Sequence, residues 1–202
     1  MSNVIITPKT GTVWAGNNLC VDSTDLDNAG YTKANLTISA TTTNINGIDC
    51  QGIVGANSTG TKSITESATN GSLNGNQMFV NLFVAAGDNA HCYLQARALN
   101  AGFATVGGTQ WFNLTTGALG TFTALGAGTL ADAGIESVTG GYRIWVVVNT
   151  GGNDDQGSGS VIGFADADAN LDSTGDASTI NGYAGGWSWL DDPTGDIGYI
   201  PS

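Results

Sequence analysis

After Arg143 the sequence has no lysine or arginine, although nine aspartates follow. Over the whole chain 17 acidic residues face 5 basic ones, a formal net charge of −12. Such a surface repels phosphate, which excludes nucleic acid as a partner, and it disfavours anionic membranes. No apolar run approaches the roughly 20 residues needed to cross a bilayer. Met1-Ser2-Asn3 opens the chain without a basic region or an apolar core behind it, so no secretory signal is expected and synthesis in a cytoplasm is. Cysteine is scarce: Cys20, Cys50 and Cys92 are too few and too scattered for a disulfide framework, and no CxxC or Cys/His pair suggests zinc. They read as small buried hydrophobes in a reducing compartment. His91 is the single histidine. GxSxG and GK[ST] motifs are missing, and no spacing singles out a carboxylate pair, so the reading is of a protein that is not an enzyme. Neither a sustained helical period nor a heptad occurs.

What the chain does have is strands. Hydrophobic residues make up 41%, enough for a core, and 31 glycines without a G-X-Y period punctuate it. Leu36 and Ile38 alternate with Thr37 and Ser39. Gly47–Gly55 and Thr61–Ser67 follow as short strands. Met78–Ala86 and Cys92–Ala98 are stronger, and the "GDNA" between them reads as a hairpin turn. Thr115-Thr116-Gly117 joins another pair. Thr139-Gly140-Gly141 feeds "YRIWVVVN", where Tyr142, Ile144, Val146 and Val148 share one face and Arg143, Trp145 and Val147 the other. Two apolar faces place that strand inside a sheet. Arg143 is expected to hold an acidic partner or backbone carbonyls and to stack on Trp or Tyr. Short strands with Gly turns predict an all-β fold, an antiparallel β-sandwich of jelly-roll type, in one domain over residues 20–202. Residues 1–19 form an extended N-terminal arm. Its apolar Val4, Ile5, Ile6, Val13 and Trp14 must dock on something, either this domain or a neighbour.

Two constellations carry chemistry. Asp166, Asp168, Asn170 and Asp172 alternate like the start of a calcium loop, since hard oxygens at spacing two wrap a cation. The EF-hand pattern fails, with Leu171 at its sixth position, and solvated surface acids are the plainer reading. No cofactor is required; Ca2+ is the one the spacing admits. Near the end of the chain lie Tyr183, Trp187, Trp189 and Tyr199, with Asp191 and Asp192 beside them. Flat rings flanked by acids suit sugar stacking, but spacing two also puts Trp187 and Trp189 on a shared core face.

Four stretches, in order, resemble the β-sandwich domains of phage head-spike and tail-fibre proteins. "LDNAGYTKANLTISA" (26–40) is similar to that family's opening, with Tyr31 where a Trp is usual. "WFNLTTGALGTF" (111–122) and "GGYRIWVVV" (140–148) are similar to its middle motifs, and "GGWSWLDDPTGDIGYIPS" (185–202) to its close. The resemblance runs over about residues 20–202. It departs at Trp189-Leu190-Asp191, where the family carries Gln-Leu-Glu, and in a longer, more acidic segment 151–185. It implies a virion component, made in the host cytoplasm and carried on the outer surface of a tailed phage. The expected role is a capsid decoration (cement) protein. Its partners would be the major capsid protein, gripped by residues 1–19, and copies of itself, as a homotrimer. The alternative is a receptor-binding module that recognises host surface glycans.

Overall fold

The computed structural model of the protein describes residues 24–68, 77–99, 105–151 and 157–191. They form an antiparallel β-sandwich, with no helix among them. From edge to edge, the first sheet holds β1 (Thr32–Ala34), β5 (Ser63–Ala68), β12 (Gly157–Ala165), β7 (His91–Leu99), β8 (Thr105–Asn113) and β9 (Ala118–Leu125). The second holds β10 (Thr129–Val138), β11 (Gly141–Asn149), β6 (Gln77–Ala86), β14 (Gly182–Asp191), β3 (Ile48–Gly55) and β2 (Leu36–Ile45). A small ribbon pairs β4 (Thr59–Thr61) with β13 (Asp172–Thr174).

Alternation decides which side chains enter the core. Met78, Val80, Leu82 and Val84 of β6, with Ile144, Val146 and Val148 of β11, face Leu94, Phe112, Ile162 and Phe164 of the first sheet. Removal of this apolar area from water is the main favourable term in folding. Phe79, Asn81 and Phe83 are buried on the opposite face of β6. Apart from Asn81 the strand therefore reads as an apolar run from Met78 to Ala86, as strands covered on both faces do. β11 lies between β10 and β6, as its two apolar faces predict.

The turns show where local chemistry suffices. β2 and β3 meet at Asn46-Gly47, with φ of 53° and 88°, the left-handed pair that a two-residue hairpin of matching twist requires. β10 and β11 meet at Thr139-Gly140, and β8 and β9 close the expected hairpin after Asn113. "GDNA" differs. It does not close a hairpin: β6 belongs to the second sheet and β7 to the first. The segment arches between the sheets because its N–H groups bond elsewhere. Gly87 and Asn89 donate to Asn181 O, and Asp88 donates to Ile180 O, at 3.0–3.2 Å. A side chain at Gly87 would bring its Cβ to 2.1 Å from Ile180 O, so this crossing needs glycine.

Candidate functional site

The acidic loop between β12 and β14 spreads its carboxylates instead of gathering them. Asp166 Oδ1 accepts a hydrogen bond from Asn89 Nδ2 (2.6 Å), and its Oδ2 accepts from Thr174 N and Oγ1, both 2.9 Å. Asp168 accepts from Thr121 on β9, through N (2.8 Å) and Oγ1 (2.7 Å). Asn170 Oδ1 takes the N–H of Asp172, and its carbonyl takes Trp111 Nε1. Asp172 Oδ1 accepts from Thr61 Oγ1. The spacing-two pattern thus belongs to a loop whose members reach different strands. Among the described residues no group of three or more His, Cys, Asp or Glu side chains is placed to hold a metal ion.

These bonds leave an electrostatic mark. Partial burial pushes the Asp168 carboxyl up, but hydrogen bonds from Thr121 and Ala169 and the nearby His91 outweigh it, and the net shift is downward. Backbone N–H groups of Thr179 and Ser178 hold Asp176 well below the usual carboxylate range. At the β8–β9 register slip, Asp168 takes the Thr121 N–H, while Gln110 Nε2 donates to the carbonyls of Trp111 and Gly120 at 2.8 Å. The bulge is closed from both sides.

Lys62, between β4 and β5, had no role in the sequence reading beyond membership of one strand. It is only 2% exposed. Its ammonium donates to the carbonyls of Ser58 (2.8 Å), Gly60 (3.4 Å) and Ser173. A buried cation is tolerated when its donors are met, and here backbone oxygens meet them. Asn181 extends the seam: its Oδ1 accepts from Gly55 N (2.6 Å), and its Nδ2 donates to Asn89 Oδ1 and Thr174 O. The one visible sequence signal was a lysine flanked by strand-forming residues.

Of the aromatic candidates, Trp187 is 0% exposed. It stacks on Tyr31, with ring centroids 5.1 Å apart and planes 14° off parallel. A sugar cannot reach it there, so Trp187 belongs to the core and not to a binding platform. Tyr183 packs, half-buried, against Ile45, Cys50 and Phe83. The register slips between Gly185 and Ser188, where Gly186 takes φ of 61°. Trp189 and Asp191 pair through their backbones with Val80 and Met78. Asp192, Tyr199, Cys20 and the arm residues Val4, Ile5, Ile6, Val13 and Trp14 lie outside the described residues.

A different tryptophan lies at the surface. Trp145 on β11 is half-buried, and its indole spreads over Gly134 of β10, where a Cβ would meet the ring at 1.9 Å. Its Nε1 donates to Asp132 Oδ2 (3.0 Å). The Arg143 guanidinium lies 5.2 Å from the ring centroid. Arg143 Nε donates to Asn81 Oδ1 (2.8 Å), and Nη1 approaches Glu136 Oε2 at 4.0 Å. The acidic partner and the ring expected for Arg143 are both present. Alternation in "YRIWVVV" placed Trp145 beside Arg143, but only the opposing glycine, found by strand pairing, makes a shelf of it.

Cys50 and Cys92 are free and buried, as expected. Burial, aided by Asp49, pushes the Cys50 thiol up to about 12, and burial pushes Cys92 up as well, so neither is poised as a nucleophile. His91 Nδ1 has no hydrogen-bond partner among the described residues. Comparison with known proteins adds no identity: no family model matches the chain, and neither does any curated protein.

Proposed function

We propose that the chain is a structural protein of a tailed-phage virion, a decoration protein on the outer capsid surface that acts by adhesion and not by catalysis. One observation carries the reading most: Asp166, Asp168 and Asp172 of the 166–181 loop are spent on tying parts of the sandwich together. The result is a stiff, strongly acidic block whose polar groups serve its own frame. The family resemblance supplies the virion context, together with the jelly-roll type. Adhesion falls to residues 1–19, where Val4, Ile5, Ile6, Val13 and Trp14 supply apolar area to bury against neighbouring capsid subunits. Each clamp raises the free energy of separating the subunits it joins, by mass action on the assembled state. Association as a homotrimer belongs to the same proposal.

The test is addition of purified chain to empty capsids. Binding at a fixed stoichiometry, lost on deletion of residues 1–15 while the far-ultraviolet spectrum of the sandwich persists, is the expected result. Capsid binding that survives the deletion overturns it.

A second reading, recognition of host surface glycans, has its own observation: the half-buried Trp145, flanked by Asp132 and Arg143, combines a ring with hydrogen-bonding groups at the surface. That reading expects glycan-array binding which disappears in Trp145→Ala. An array silent for the native protein removes it.

A further inference from the structure

The sandwich has two open sides. On one, β1 and β2 are the edge strands, and the described chain enters there: Leu26 is buried, with its N–H on Gln51 Oε1 of β3 at 2.6 Å. On the other, β9 and β10 are the edges, joined by a turn in which Gly128 N donates to Leu125 O at 3.0 Å. Leu119 on β9 is 49% exposed and Leu130 on β10 is 41% exposed, the two most exposed large hydrophobics among the described residues.

The two edges are protected differently. Natural sheets blunt free edges with lysine, proline, bulges or inward charges, because unpaired N–H and C=O groups recruit further strands. β9, "ALGTFTAL", has no charge and no proline, and Asp168 covers only its Thr121 N–H. β10, "TLADAGIESV", has a register slip near Leu130, no proline and no lysine, and its first four residues are exposed. Its charges are Asp132 and Glu136.

We propose that the β10 edge, with Leu130 exposed on it, receives residues 1–19 of a second copy as an added strand. This rests on the reading of residues 1–19 as the adhesive segment and names the surface they grip between copies. Charge favours this occupant. Residues 1–19 carry Lys9 and no acid, while all 17 acidic residues follow. Composition favours it too, since Val4-Ile5-Ile6 is a β-branched run suited to a strand. So does placement. The segment precedes the β1–β2 side, while its acceptor lies across a six-stranded sheet, roughly 24 Å away at about 4.8 Å per strand. Donor and acceptor on opposite sides make a head-to-tail contact, which closes into rings when the rotation permits. Main-chain bonds would hold the added strand, and the exposed Leu130 would cover part of its apolar side chains.

The test uses two differently tagged full-length chains in a Cys20→Ser background, one with Ile5→Cys and the other with Leu130→Cys. Mixing under mild oxidation is expected to join the two tags at least about tenfold faster than a control pair in which Thr41→Cys on β2 replaces Leu130→Cys, because a disulfide needs its Cα atoms within about 7 Å. Equal rates, or linkage confined to single copies of an Ile5→Cys/Leu130→Cys chain, overturn the proposal. Leu130→Lys provides a second readout. Sedimentation should report monomer with an unchanged circular dichroism spectrum, and a persistent oligomer counts against the β10 seat. No capsid enters either measurement. Loss of capsid binding with exchange intact therefore rejects the decoration role alone, and the reverse rejects only the β10 seat.

Discussion

The two open sides of the sandwich are made of similar strands and finished in opposite ways. Where β1 and β2 form the edges, the chain fills the gap itself: Leu26 and Tyr31 are buried, and Tyr31 lies flat on Trp187. Where β9 and β10 form them, Leu119 and Leu130 remain at the surface. Polar ties do not follow this division: Thr61 Oγ1 meets Asp172 in the small ribbon, while on the open side Thr121 of β9 meets Asp168 and Trp145 Nε1 meets Asp132 of β10. A side that a chain can seal with its own residues becomes frame, and a side left unsealed becomes available to others.

Substitution can break this contrast. The largest effect is expected on the sealed side. Trp187→Ala removes a fully buried ring and its stacking partner's support, and should cost about 3–5 kcal/mol in denaturant unfolding. A loss below about 1 kcal/mol would mean that the Tyr31–Trp187 plug is not what closes that side. Lys62→Met comes next. It keeps most of the volume but leaves the carbonyls of Ser58, Gly60 and Ser173 without their shared donor, at an expected cost of about 2–3 kcal/mol. If the variant proves as stable as the native protein, water must satisfy those oxygens and the cage is not a tie.

The smallest and most specific test concerns Asp168, the one tie from the loop to the β9 edge. Its carboxyl titrates below the ordinary value in the folded state. Its contribution to stability is therefore present above the unfolded value, about 3.9, and is lost as pH falls through the lower folded one. Asp168→Asn should lower the melting temperature near neutral pH and flatten its fall between about pH 5 and about pH 2. A variant whose acid profile parallels that of the native protein would show that the shift belongs elsewhere in the loop, Asp176 being the next candidate.

Much of the frame was legible because strands announce themselves locally. The period of two in "YRIWVVV" and the turn residues before it specify the β10–β11 hairpin without help from distant parts of the chain. "GDNA" carries equally good turn chemistry and misleads, because the choice of sheet depends on Ile180 and Asn181, some ninety residues downstream in sequence, accepting its N–H groups. Trp187 was ambiguous for a related reason. No residue near Trp187 reveals that Tyr31 will lie against it. The acids of 166–172 show spacing but not direction, so which threonines they reach is not legible in the sequence. The Trp145 shelf needed the β10–β11 register, which sets Gly134 opposite the indole.

Lys62 has a consequence for handling the protein. An amine enclosed by Ser58, Gly60 and Ser173 is hidden from acylating reagents while the β4–β13 ribbon is closed, whereas Lys33, bonded at the surface to Asp27, stays within their reach. The ratio of label on the two lysines is a chemical clock for the opening of that ribbon, readable by mass spectrometry.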